Sequence, residues 1–146
     1  MRRALPALIA CSALLLAPGC GSSKKGSTSS ASSTGGPQSS VVVGGKINYA
    51  SPPAGAPVRS GLVNISYHEI SIEPDTLKVK VGSTIRWTNQ DPVEHNVTSA
   101  SGPIKFASKN FGENGTFEIK VNRPGVIHYR CTLHPATMNG TIEVVK

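Results

Sequence analysis

The chain has 146 residues, three cysteines, and 15 lysines and arginines against 8 acids. That length holds one domain, or less if the ends are processed. Arg2, Arg3, Lys24 and Lys25 precede Val41 with no acid among them, so only +3 of the formal +7 belongs to the remainder. There Lys78, Lys80, Lys105, Lys109 and Lys120 are interspersed with acids and form no aromatic-studded basic stripe, which excludes nucleic acid as an expected partner.

In chain order, Arg2 and Arg3 open an apolar run from Ala4 to Ala17, followed by Pro18-Gly19-Cys20. The run is too short to span a bilayer comfortably and has the basic start of an export signal, so residues 1–19 are expected to be a signal peptide. Ala17-Pro18-Gly19-Cys20 resembles the bacterial lipobox, although Ala17 stands where leucine is usual and Pro18 is an uncommon neighbour. The resemblance implies lipidation at Cys20. It would place the chain on the outer face of the cytoplasmic membrane or in the periplasm, with the membrane as a partner through the anchor.

Residues 20–60 read as a flexible linker. Gly21 to Ser40 is mostly Ser, Gly and Thr, and Ser51-Pro52-Pro53-Ala54-Gly55-Ala56-Pro57 continues that character after a brief apolar stretch, Val41 to Tyr49. Such composition buries too little apolar surface to offset the entropy of ordering. A chain of this length reaches about 35 Å on average.

From residue 61 to 146 the period is two. Val63-Ile65-Tyr67, Leu77-Val79-Val81, Ile85-Trp87, Phe117-Ile119-Val121 and Ile142-Val144 alternate with polar residues. Turn signals separate them at Pro74-Asp75, Gly82-Ser83, Asp91-Pro92, Asn114-Gly115, Pro124-Gly125 and Asn139-Gly140, and no amphipathic helical stretch intervenes. An all-β sandwich is the economical architecture.

Cys11 lies in the leader and Cys20 at the expected lipid site, so Cys131 has no disulfide partner in the exported domain. A lone thiol in an oxidising compartment needs burial or occupation. Alternation puts Ile127, Tyr129 and Cys131 on one face and Val126, His128 and Arg130 on the other. His134 and Met138 follow Cys131 within a loop that can fold back on itself, and His95 can supply a fourth group from the opening of a middle strand. Two imidazoles, a thiolate and a weak thioether are the donors of a mononuclear blue-copper centre. Zinc is the chief rival, although its structural sites usually use two or more cysteines and rarely recruit methionine. A Cys-His nucleophile is a further rival, for which no base-orienting group or oxyanion hole is signalled.

Asp75 to Asp91, Glu94-His95-Asn96-Val97-Thr98, Pro124-Gly125 and Tyr129-Arg130-Cys131-Thr132-Leu133-His134-Pro135 resemble the plastocyanin, amicyanin and pseudoazurin group of cupredoxins. The resemblance implies a Greek-key sandwich of about eight strands over residues 61–146, holding one type 1 copper. It implies ligand roles for His95, Cys131, His134 and Met138, and a bracing role by hydrogen bonding for Asn96. It also implies a monomer that passes single electrons between redox proteins by transient contact, with no catalytic residues. Three residues separate His134 from Met138, one more than in amicyanin and one fewer than in plastocyanin or pseudoazurin.

His68 and His128 are expected to face solvent, and the four Asn-x-Ser/Thr triplets carry no assigned function. Copper delivery or buffering is the alternative function, since it could use the same ligands. A copper oxidase or nitrite reductase would need more histidines than the four present.

Overall fold

The computed structural model describes residues 40–146. The expected signal peptide, Cys20 and the linker before residue 40 lie outside the described residues. Every regular element in the described part is a strand: β1 (Val41–Val43), β2 (Lys46–Asn48), β3 (Val58–Arg59), β4 (Leu62–His68), β5 (Ser71–Glu73), β6 (Thr76–Lys80), β7 (Thr84–Asn89), β8 (Thr98–Ser101), β9 (Thr116–Lys120), β10 (Gly125–Arg130) and β11 (Asn139–Val145). Nine of them form two sheets, in the orders β3-β6-β11-β10-β8 and β5-β4-β7-β9. β4 runs parallel to β7 and β6 parallel to β11, because the chain crosses between the sheets rather than returning within one.

The inward faces are those the alternation selects. Val63, Ile65, Tyr67, Leu77, Val79, Ile85, Trp87, Ile127, Tyr129, Ile142 and Val144 are buried. Trp87 sits at the centre, with its ring centroid 5.3 Å from Tyr129, 5.8 Å from Phe106 and 5.9 Å from Phe117. Truncating a buried aromatic of this kind costs about 3–5 kcal/mol. Gly140 is required beside it. A Cβ there would stand 2.4 Å from the Tyr129 ring, closer than packed atoms tolerate.

Two details depart from the expected pattern. Val81 does not continue the inward face of β6 but is exposed, because the strand ends at Lys80 and Gly82 takes a left-handed φ of 91° to turn the chain. The stretch read as linker also carries structure: β1 and β2 form a hairpin, and Val58–Arg59 pairs in parallel with Lys78–Val79. These segments lack a sustained period of two, and β3 adds a ninth strand to the sandwich where about eight were expected.

Candidate metal centre

Cys131 follows the last residue of β10 and keeps that strand's alternation, so it is buried with Ile127 and Tyr129 while Val126 is exposed. The chain then loops out and back. Met138 N–H donates to the His134 carbonyl (3.0 Å), Cys131 N–H donates to the Met138 carbonyl (3.0 Å), and the Asn139 side chain donates to the Pro135 carbonyl (2.9 Å). These bonds close the loop at its root and leave Met138 buried in the same apolar cluster as Cys131.

His95 arrives from the connection between β7 and β8. It is pinned by a two-way backbone bridge to Phe111, with its N–H donating over 3.1 Å and its carbonyl accepting over 2.8 Å. Its ring is fully buried, with the Tyr67 ring edge-on to it at 5.4 Å. On the far side of the ring, Nε2 lies 2.8 Å from Asp91 Oδ2. An ionised carboxylate only accepts, so Nε2 carries the proton and Nδ1 presents a lone pair. Burial pushes the Asp91 carboxyl up, but the N–H of Ile70, the His95 imidazole and the N–H of Glu69 together hold it below its ordinary range.

The three donors converge. Cys131 Sγ is 3.8 Å from His95 Nδ1 and 3.8 Å from His134 Nδ1, and the two nitrogens are 3.1 Å apart. A triangle with those sides has its centre about 2.1 Å from each corner, inside the roughly 2.0–2.3 Å at which imidazole nitrogen and thiolate sulfur bind a borderline metal ion. Lone pairs aimed at one point repel unless a cation or proton stands between them, so the donor set fits a metal. His95 and Cys131 are buried, while His134 is partly exposed.

Asn96 links the two ligand-bearing segments. Its Oδ1 accepts the Thr132 N–H (2.9 Å), and its Nδ2 donates to Thr132 Oγ1 (2.8 Å) and to Asn110 Oδ1 (3.1 Å). Its own N–H points at Cys131 Sγ over 3.4 Å, within the reach of a weak bond to sulfur. Asn96 is legible in the sequence but its partners Thr132 and Asn110 are not, and Asp91 is legible there only as a turn residue. The spacing of Asp91 four residues before His95 was the available signal.

The remaining histidines stay apart from this group. His68 is exposed beside Glu69. His128 is partly buried on the outer face of β10, stacked on Tyr49 at 4.3 Å and 3.1 Å from Thr141 Oγ1.

Comparison with known proteins places the chain. Residues 60–145 match the family described as copper binding proteins of the plastocyanin/azurin family. Amicyanin-alpha of Methylorubrum extorquens is 31% identical over 88 residues, covering 58% of this chain and 73% of that protein. Amicyanin of Paracoccus denitrificans is 30% identical over 97 residues, covering 64% and 73%. Among solved structures, a purple cupredoxin from Nitrosopumilus maritimus is 30% identical with a TM-score of 0.50, covering 56% of this chain and 98% of that one. With a matching family model over most of its folded part and a donor group like a type 1 copper site in that fold, the chain belongs to the plastocyanin/azurin family of copper binding proteins.

Proposed function

We propose that this protein is an electron carrier whose one type 1 copper is held by His95, Cys131, His134 and Met138 and that works between extracytoplasmic redox proteins. The observation that carries the reading is the tight triangle of two imidazole nitrogens and one cysteine sulfur, with a methionine buried at the end of the same loop. Copper, when bound, supplies a one-electron couple. The chain's part is to keep its donors still. Soft sulfur suits the reduced ion and imidazole the oxidised one, so a cage that accepts both limits the rearrangement on transfer.

Each support described above serves that rigidity. The Met138 carbonyl fixes the Cys131 backbone, Asn96 ties Thr132 to the His95 segment, and Asp91 holds His95 from behind. His134, partly exposed, offers the ring edge nearest to a partner. The two ligand-bearing segments also present Val93 (43% exposed) and Leu133 (45%) to solvent, apolar groups suited to brief contact with another protein. Lipidation at Cys20 would keep such a monomeric carrier near membrane-bound partners, and replacing Cys20 by Ala should move it to the soluble extracytoplasmic fraction.

The test is uptake of copper(II) by the soluble domain. An intense blue absorption that survives repeated reduction and reoxidation with the metal retained supports a carrier. Ready surrender of copper(I) to an acceptor would instead assign copper delivery. A colourless chain that takes up only zinc would overturn both.

A further inference from the structure

The turn from β4 to β5 consists of two residues, Glu69 and Ile70, with φ of 50° and 55°. Two-residue hairpins of this left-handed kind usually employ asparagine and glycine. A β-branched residue with positive φ is a genuine outlier. Asp91 accounts for its persistence. Its Oδ1 accepts the Glu69 N–H (2.6 Å) and its Oδ2 accepts the Ile70 N–H (3.0 Å), so successive backbone donors of the turn close on one carboxylate.

That carboxylate is also the partner of His95. Oδ2 receives Nε2 at 2.8 Å, and the Asp91 side chain is only 8% exposed, so water does not decouple the contacts. The Asp91 N–H is in turn held by Asn89 Oδ1 (2.8 Å), whose amide donates to the carbonyls of Val93 and Phe111. With its backbone and both oxygens fixed, the carboxylate cannot follow a displaced turn without moving the imidazole it holds.

We propose that Asp91 is a positioning residue through which the Glu69–Ile70 turn sets the plane and tautomer of His95, making a turn that supplies no ligand an outer control element of the copper centre. The inference rests on the copper reading above. It predicts two perturbations of one pathway. Asp91→Ala removes the junction; Asp91→Asn keeps its shape but must turn an NH2 toward one of the N–H donors. Inserting one glycine between Glu69 and Ile70 leaves Asp91 and His95 intact but draws the turn off the carboxylate.

The experiment measures copper affinity and the charge-transfer band of the parent chain, these variants, and Asp91→Ala combined with the insertion. It also records the His95 Nε2 proton by nuclear magnetic resonance in the metal-free proteins. Asp91→Ala is expected to lower copper affinity about 10–100-fold, the usual loss when the partner of a ligating histidine is removed. The insertion should cause a smaller loss, shift the band, and add nothing to the Asp91→Ala background, the signature of a shared pathway. The Nε2 proton should exchange slowly in the parent and rapidly in Asp91→Ala and the insertion variant. If Asp91→Ala does not fold, Asp91→Asn serves in the same comparison. An insertion variant whose Nε2 proton, affinity and band match the parent overturns the proposal. A parent that takes no copper sinks the copper reading, while the Nε2 proton still decides the coupling.

Discussion

The two segments that build the metal centre are stabilised in opposite ways. Cys131 to Met138 contributes a thiol, an imidazole and a thioether within eight residues, and its bonds are short-range, running from Cys131 to Met138 and from Met138 to His134. The segment around His95 contributes one imidazole, and its supports are remote in sequence: Tyr67, Phe111, the Glu69–Ile70 turn and Thr132. A compact loop can carry most of the donors because the sheet already fixes both of its ends. A single ligand approaching from another part of the chain must be aimed by tertiary contacts. Asn96 is where the two arrangements meet.

The largest effect should come from breaking the compact side at its strongest donor. Cys131→Ser replaces a thiolate with a hydroxyl that stays protonated at neutral pH, so the blue absorption should vanish entirely. The spectrum of the copper-treated variant checks this, and residual blue colour would show that the chromophore is not this sulfur.

Breaking the joint is next. Asn96→Ala removes the three side-chain hydrogen bonds to Thr132 and Asn110 and leaves the Thr132 N–H without its acceptor. The expected loss is roughly 2–4 kcal/mol, since deserted polar groups add to the bonds themselves. Chemical denaturation of the metal-free chain measures it. If the joint holds both segments, copper loading should shrink the difference, because the shared metal then links them independently.

A pH effect sharpens the comparison by perturbing neither segment. Burial depresses the pKa of His128 below the ordinary 6.5. The neutral ring is therefore the form that favours folding. Its contribution is complete above pH 6.5 and is lost as pH falls through the lower folded-state value. His128→Gln should flatten that part of the stability curve of the metal-free chain, measured as melting temperature against pH. Since His128 stands on the outer face of β10, against Tyr49, the copper spectrum should be unmoved. A change in colour would join this face to the site.

The same contrast separates what is legible in the sequence from what is not. Alternating residues such as Val63-Ile65-Tyr67 announce their face because period two is a local signal, whereas Val81 misleads because Gly82 ends the strand one residue earlier. Cys131, His134 and Met138 announce themselves by closeness in sequence. Asn110 and Thr132 do not, because their roles depend on groups up to 36 residues away whose approach is created by the fold, and Asp91 offers only its spacing four residues before His95. The pairing of β3 with β6 was silent for the same reason, since two residues carry no period.

The subtlest prediction concerns Met138, the end of the compact loop. Its backbone already has a structural duty, since its carbonyl receives the Cys131 N–H and its N–H reaches the His134 carbonyl. A side-chain substitution leaves those bonds in place, so side chain and backbone can be separated. Met138→Leu nearly conserves volume and should cost less than about 1.5 kcal/mol of stability. If the thioether is a weak donor to copper, Leu should retain the metal and its colour but raise the reduction potential, because losing a donor disfavours copper(II) more than copper(I). Met138→Gln should lower the potential and move the colour toward green, since a harder oxygen favours the oxidised ion. Opposite shifts from two side chains on one backbone frame, with the colour moving toward green only for Gln, are the signature of donation. Potentials equal to the parent in both variants, with stability altered, would show that Met138 only fills the space beneath Asn139 and Gly140 and that the loop supplies two donors rather than three.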